Sequence, residues 1–380
     1  MAGMNPGSPI RLSKSCLGDE EKRAVVGVLG REFLGMGAEV QQFEHALADY
    51  FGRPVVCVVN GTAALQLALQ ACGIGAGDEV LVQSLTYVAS FQAISATGAV
   101  AMACDVDPQT LTLDLADAER RVTPKTRAIM PVHYSGGVGA LAELHAFARK
   151  HGLRVIEDAA HAFGTTHQGL KVGGFGDIAC FSFDGIKNIT SGEGGCVVTD
   201  DPDVLQRIRD ARLLGVERDT EKRFQGQRSW EFEVTAQGWR YHMSNIMAAI
   251  GIQQLKRFPH LAVRRQALAS HYDRLLQPVD GIVTLPHDYT QVVPHIYVVR
   301  IPSMIDRDAV RARMLALGIE TGAHYFPNHK LAYFRPSQET LPLRTTDSVY
   351  PQLLSLPLHP DLDDSAPEYI VKSLREVLGA

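Results

Sequence analysis

The sequence lacks long hydrophobic runs and any concentration of positive charge. No stretch approaches the length of a membrane-spanning helix, and residues 1–15 lack the cationic start and apolar run of a signal peptide. The formal net charge is −5, and no cluster of Lys and Arg is present. These absences argue against a membrane protein and against a nucleic-acid-binding protein. We therefore expect a cytoplasmic protein whose partner is a small molecule.

The sequence also lacks a paired cysteine motif, an internal repeat and a low-complexity segment. Most of its six cysteines lie in apolar surroundings, such as Cys57 in the run at 55–59, so we expect buried, reduced thiols. We expect no metal site. A chain of 380 residues with 46% hydrophobic content is long enough to bury a sizeable core and to form two domains.

From about residue 40 to 200, short apolar runs alternate with amphipathic helix patterns, which is typical of a mostly parallel sheet covered by helices. A long polar excursion at 217–237 interrupts this order. We predict an α/β fold, with a large domain over 1–255 and a smaller α/β C-terminal domain over 256–380. The predicted strands are 54–59, 153–157, 179–183, 196–199 and 297–301. One helix is predicted to begin at Thr62, and further helices are predicted at 141–150, 244–258, 308–317 and 368–378.

Lys187 lies in the glycine-rich loop 184–195 between two of the predicted strands. A lysine amine in a desolvated pocket loses its charge readily and becomes a nucleophile. The alternative is an exposed loop lysine, as most lysines are. The Ser182 hydroxyl on the preceding strand counts against that alternative. It could donate a hydrogen bond to a phosphate of a ligand bound at Lys187.

Three further features fit a ligand that carries an anion and an aromatic ring. The turn Asn60-Gly61-Thr62 opens a helix, so it is either an ordinary cap or a phosphate cradle. Asp158 ends a buried strand, where it either caps the next helix or pairs with a protonated ring nitrogen. Tyr87 follows another strand and either stacks on a ring or fills the core. Pyridoxal phosphate (PLP) requires all of these groups together.

The ordered motifs of this chain resemble those of the DegT/DnrJ/EryC1/StrS family of sugar aminotransferases, and the resemblance covers nearly the whole sequence. It implies the PLP-transferase fold of type I, with a mostly parallel sheet between helices. The motifs are 60–65 (NGTAAL), 157–161 (EDAAH), 181–183 (FSF), 187–188 (KN), 192–195 (GEGG), Tyr241, 243–244 (MS), 248–249 (AA), 318–319 (GI), 324–325 (HY) and 356–360 (LPLHP).

The resemblance implies a role for each site residue. Lys187 carries the cofactor as a Schiff base and moves the proton during catalysis. The other cofactor-binding residues implied are Gly61, Thr62 and Ser182 at the phosphate, Tyr87 on the ring, Asp158 at the pyridine nitrogen and His161 at the ring face or hydroxyl edge. The implied assembly is a homodimer in which residues 238–243 of one subunit complete the site of the other.

Two departures from the family pattern leave roles open. Arg240 stands where many members have Asn, and it binds either the neighbouring cofactor phosphate or substrate. Asp184-Gly185-Ile186 replaces a commoner His-Pro-Thr, which changes the wall near the sugar. Candidate substrate-binding residues in the tail are His324, Tyr325 and His329, with Lys330 and His295 as weaker candidates; surface placement is the alternative for each.

The function expected from these residues is PLP-dependent transamination of a nucleotide-linked keto sugar with L-glutamate as amino donor. A sugar dehydratase of the same family usually has His at the lysine position, so Lys187 argues against it. A cyclitol aminotransferase remains an alternative, because its cofactor residues would be the same. A non-catalytic protein that only binds PLP or a sugar nucleotide is the alternative of a different class.

Overall fold

The computed structural model describes residues 9–335 and 341–379, and over them the chain forms twelve β-strands and twelve α-helices. The strands are β1 (Val55–Val58), β2 (Glu79–Gln83), β3 (Val100–Cys104), β4 (Thr126–Met130), β5 (Arg154–Asp158), β6 (Thr166–His167), β7 (Leu170–Lys171), β8 (Ile178–Ser182), β9 (Gly195–Thr199), β10 (Val283–Thr284), β11 (Tyr297–Arg300) and β12 (Leu353–Leu356). The helices are α1 (Asp19–Gly30), α2 (Ala38–Phe51), α3 (Gly61–Ala71), α4 (Val88–Ala96), α5 (Leu115–Arg121), α6 (Leu141–His151), α7 (Pro202–Ala211), α8 (Asp219–Phe224), α9 (Asn245–Leu276), α10 (Arg307–Ala316), α11 (Arg344–Val349) and α12 (Ala366–Leu378).

A seven-stranded sheet organises the large part of the chain, in the order β1-β9-β8-β5-β4-β2-β3. Only β9 pairs antiparallel with its neighbours, and the remaining pairings are parallel. Strands β1 and β9 are buried along their whole length because helices cover both faces of the sheet. The predicted α/β class with a mostly parallel sheet is confirmed.

Successive residues of β1 pack alternately into two different hydrophobic cores. Val56 and Val58 pack with α3 on one face of the sheet, whereas Val55 and Cys57 pack on the other face with α2 and the start of α9. Four of the six cysteines are buried as expected. That expectation is wrong for Cys16 and Cys72, which are half-buried; all six thiols are free.

A three-stranded antiparallel sheet, β10-β11-β12, forms a third core with α10, α12 and the end of α9. The helix predicted over 244–258 is longer than expected, since α9 continues to Leu276 through Pro259. Buried residues at helical spacing on both sides of Pro259 explain why tertiary packing overrides the proline. We propose that the division predicted at 255/256 lies within this helix, which contributes to both cores.

The polar excursion at 217–237 contains the short helix α8, followed by a run of exposed residues at 231–237. After it, residues 239–243 return to the main sheet, where the Val59 N–H donates to the Tyr241 carbonyl over 2.7 Å. No helix within the described ranges combines the length and the apolar content needed to cross a bilayer.

Candidate active site

The N-terminus of α3 lies against the end of β8. Asn60 caps the helix, because its Oδ1 accepts a hydrogen bond of 2.8 Å from the Ala63 N–H. A Cβ atom at Gly61 would lie only 2.8 Å from Cβ of Ser182, so glycine is what permits this close approach. The unpaired N–H groups and positive dipole end of an 11-residue helix favour an anion here.

Asp158 stands at the carboxyl end of β5 with only 6% of its surface exposed. Its Oδ2 accepts a hydrogen bond of 2.7 Å from the Ser90 hydroxyl, and its Oδ1 accepts one of 3.2 Å from the Ala160 N–H. Among the described residues no Lys, Arg or His side chain forms an ion pair with it. A buried carboxylate without a cationic partner fits a ligand with a cationic nitrogen.

Lys187 projects from the loop after β8, and its Nζ lies 3.3 Å from Nε2 of His295. Burial lowers the pKa of Lys187 from its usual value to about 8, against the opposing effect of the negative charges of Asp158 and Asp184. A lysine with this pKa supplies both the ammonium and the free amine near neutral pH. It can therefore act as a nucleophile and as a proton carrier.

Aromatic side chains form the remaining wall. The Tyr87 ring is 59% exposed and lies 5.6 Å, centroid to centroid, from the ring of Tyr325. The Tyr325 hydroxyl is 3.0 Å from Nε2 of His161. Burial holds the pKa of His161 well below its usual value, so its imidazole is neutral.

One cavity of about 410 Å³ brings most of the predicted residues together. The predicted residues that line it are Gly61, Thr62, Tyr87, Asp158, His161, Ser182, Lys187, His324 and Tyr325, together with the weaker candidate His295. Three carboxylates also line it, those of Asp158, Asp184 and Glu193, whereas Lys187 is the only Lys or Arg among the described lining residues. Burial, and then the charge of Asp184, raises the pKa of Glu193 above its usual value.

His329, Arg240 and the weaker candidate Lys330 lie outside this cavity. His329 is hydrogen-bonded through Nδ1 to the Ser84 hydroxyl, at 2.7 Å, and through Nε2 to Asp347, at 3.2 Å. Arg240 is exposed on the segment that returns to the sheet. Its side chain therefore does not contribute to the cavity of its own chain.

Two residues that contact the site were missed or underrated in the sequence. Ser90, in α4, donates to Asp158, and nothing in its local sequence distinguishes it. From the sequence alone, His295 is only a weaker substrate-binding candidate, although it lies in the largely apolar run 292–298, which is a signal for a buried histidine. Both contacts arise from tertiary structure and involve partners 68 and 108 residues away.

The arrangement fits pyridoxal phosphate. The N-terminus of α3 beside Ser182 offers backbone N–H groups to a phosphate, and the Asp158 carboxylate, which has no cationic partner among the described residues, suits a protonated pyridine nitrogen. Lys187 would supply the amine that bonds to the aldehyde, and Tyr87 and His161 would supply flat surfaces for the ring.

Comparisons with known proteins agree with this site. The model of the DegT/DnrJ/EryC1/StrS aminotransferase family matches residues 15–375. The spore coat polysaccharide biosynthesis protein SpsC of Bacillus subtilis is 35% identical over 374 residues, with 95% of each chain covered.

Solved structures show the same fold. The sugar aminotransferase CalS13 from Micromonospora echinospora is 32% identical, with a TM-score of 0.87 over 97% of this chain and 99% of the other. Spr1654 from Streptococcus pneumoniae, in its PLP form, is 27% identical with a TM-score of 0.90 over 98% and 99% of the chains. These likenesses confirm the predicted PLP-transferase fold.

Proposed function

The chain belongs to the DegT/DnrJ/EryC1/StrS aminotransferase family and is a PLP-dependent aminotransferase, and from this premise we propose that it aminates a nucleotide-linked keto sugar with L-glutamate as donor. The observation that carries the proposal is Lys187, a lysine with a lowered pKa in the same cavity as Asp158 and the α3 anion cradle. The names of SpsC and CalS13, a polysaccharide biosynthesis protein and a sugar aminotransferase, support a sugar as the acceptor. Six free cysteines support a reducing, cytoplasmic location.

In the proposed reaction the predicted cofactor-binding residues of the cavity have separate roles. When bound, the cofactor supplies an aldehyde that bonds to amines and a ring that withdraws electrons from the neighbouring carbon. Gly61, Thr62 and Ser182 would bind its phosphate, and Asp158 would keep the ring nitrogen protonated. The Lys187 amine would take a proton from the carbon of the amino donor and deliver one to the carbon of the acceptor.

The charges of the cavity support a homodimer with shared sites. Phosphate, the two glutamate carboxylates and a sugar diphosphate are all anions, yet three carboxylates and a single lysine line the cavity of one chain. The site therefore needs cations from elsewhere. We propose that Arg240 of a second copy supplies one, because this exposed side chain has no role in the cavity of its own chain.

Mixed dimers test the sharing of sites. We expect Lys187→Ala and Arg240→Ala to be nearly inactive alone, with the arginine variant reduced at least about tenfold. Equal mixing and reassociation makes about half of the dimers hybrids, each with one intact site, so activity should recover to about a quarter of that of the wild type. Activity that stays at the level of the separate variants, or an Arg240→Ala variant with full activity, would contradict the proposal.

An absorption measurement tests the amino donor. On addition of L-glutamate, the long-wavelength band of the PLP-loaded protein should convert to the shorter-wavelength band of the amine form, and 2-oxoglutarate should reverse the change. D-Glutamate is the matched control and should leave the band unchanged. The acceptor is tested next. The converted protein should transfer its amine to nucleotide-linked keto sugars but not to cyclitol ketones. An unresponsive band would support a binding protein without transaminase activity.

A further inference from the structure

His295 is a buried histidine whose side chain, within residues 9–335 and 341–379, is hydrogen-bonded to Lys187 alone. It precedes β11, and 3% of its surface is exposed. Its Nε2 lies 3.3 Å from Nζ of Lys187, while its Nδ1 has no partner among the described residues. Burying an imidazole costs free energy unless its polar atoms find partners. Since the single partner is the reactive lysine, a role limited to stabilising the fold does not explain this histidine.

The surroundings hold the His295 ring in one place. The ring of His161 lies 4.5 Å away, centroid to centroid, and is itself fixed by the Tyr325 hydroxyl. The Arg265 guanidinium donates to the backbone carbonyl of His295 over 3.1 Å and so holds the backbone at this residue. The ring thus points its Nε2 at Lys187 with little freedom to turn away.

The protonation states decide which atom donates. Burial, together with the nearby charge of Lys187, keeps the pKa of His295 well below its usual value, whereas that of Lys187 is about 8. At neutral pH the histidine is therefore neutral and most of the lysine is charged. An ammonium only donates, so Nε2 must accept and the ring proton must lie on Nδ1. Proton transfer to His295 is unfavourable, which makes the ring an acceptor and not a base.

We propose that His295 is a positioning residue for Lys187, accepting a hydrogen bond that orients the amine and stabilises its protonated form. This inference rests on the proposed function, in which Lys187 is the reactive group. The other charged groups that act on the lysine are Asp158 and Asp184, which favour its protonation, and Arg265, which opposes it. His295 adds a directional contact that these charges do not provide.

Two amide variants test the proposal, since both keep a polar side chain at the site. His295→Gln can place an oxygen near the position of Nε2, whereas His295→Asn is too short to reach it. In the cofactor-free protein, acetic anhydride labelling of Lys187 against pH, followed by mass spectrometry, measures the lysine pKa, with the exposed Lys125 as internal reference. We expect His295→Asn to lower the pKa of Lys187 by about one unit and His295→Gln to leave it nearly unchanged.

Each result has a defined meaning. An unchanged lysine pKa in His295→Asn, or equal shifts in both variants, would overturn the inference, and thermal unfolding verifies that both variants are folded. Borohydride reduction of the PLP-loaded wild type provides a separate test of the proposed function. If the cofactor is not recovered on the Lys187 peptide, the proposed function fails, although the labelling result on Lys187 and His295 stands.

Discussion

Replacing Lys187 with alanine is expected to reduce transamination by at least about a thousandfold, because one side chain provides both the covalent contact to the cofactor and the proton transfer. The fold should survive the change. The lysine is a charged group in a desolvated cavity, and within the described residues its side chain is hydrogen-bonded to His295 alone. Steady-state kinetics with glutamate and a keto-sugar acceptor measures the loss, and thermal unfolding measures stability.

The matched control is Lys125→Ala, which removes an exposed loop lysine and should keep full activity. Small primary amines provide a second check, because an amine that diffuses into the cavity can take over part of the proton transfer. Partial rescue of Lys187→Ala by ethylamine would support the acid-base role. Retention of wild-type activity by Lys187→Ala would refute the proposal for this residue.

The strands around the site could be predicted because their sequences carry strong local signals. β1, β5, β8 and β9 are short apolar runs ended by polar or turn-forming residues, so their ends were placed within about two residues. Parallel strands bring their carboxyl ends to one edge of the sheet. That rule was sufficient to bring Asp158 and the loop of Lys187 into one site.

Other features depend on contacts that no local pattern records. The continuation of α9 through Pro259 is stabilised by packing against two separate cores. The predicted roles of His329 and Arg240 also depend on such contacts, because His329 is hydrogen-bonded to Ser84 and Asp347 and Arg240 is exposed outside the cavity of its own chain. The proposed contact of Arg240 involves a second copy of the chain, so the structure of one chain does not contain it.

The charge of the cavity links these observations. A single chain concentrates negative charge around one lysine, which keeps Lys187 protonated more than burial alone would. The phosphate of PLP and the proposed anionic substrates would require positive charge in the cavity. Positive charge from a second subunit would therefore bind these anions and also shift Lys187 toward its neutral, reactive form.

Asp158→Asn should reduce kcat/KM at least about a hundredfold, because it removes the charge that keeps a bound pyridine nitrogen protonated while conserving the shape of the side chain. The Ser90 and Ala160 hydrogen bonds can persist in part, since the amide retains one acceptor oxygen. The same change should lower the pKa of Lys187 below about 8, because the Asp158 charge favours the ammonium.

Two further variants separate charge from position at Asp158. Ser90→Ala keeps the carboxylate but removes the hydroxyl that orients it, so a smaller loss, of about tenfold, is expected. Asp49→Asn removes an exposed carboxylate from α2 and should change neither kcat/KM nor the lysine pKa. If Asp158→Asn lost no more activity than Ser90→Ala and left the pKa of Lys187 in place, hydrogen bonding and not charge would be the contribution of Asp158. The decisive measurement is therefore the lysine pKa in the cofactor-free protein, because loss of the Asp158 charge should lower it whereas loss of the Ser90 hydroxyl, which leaves that charge in place, should not.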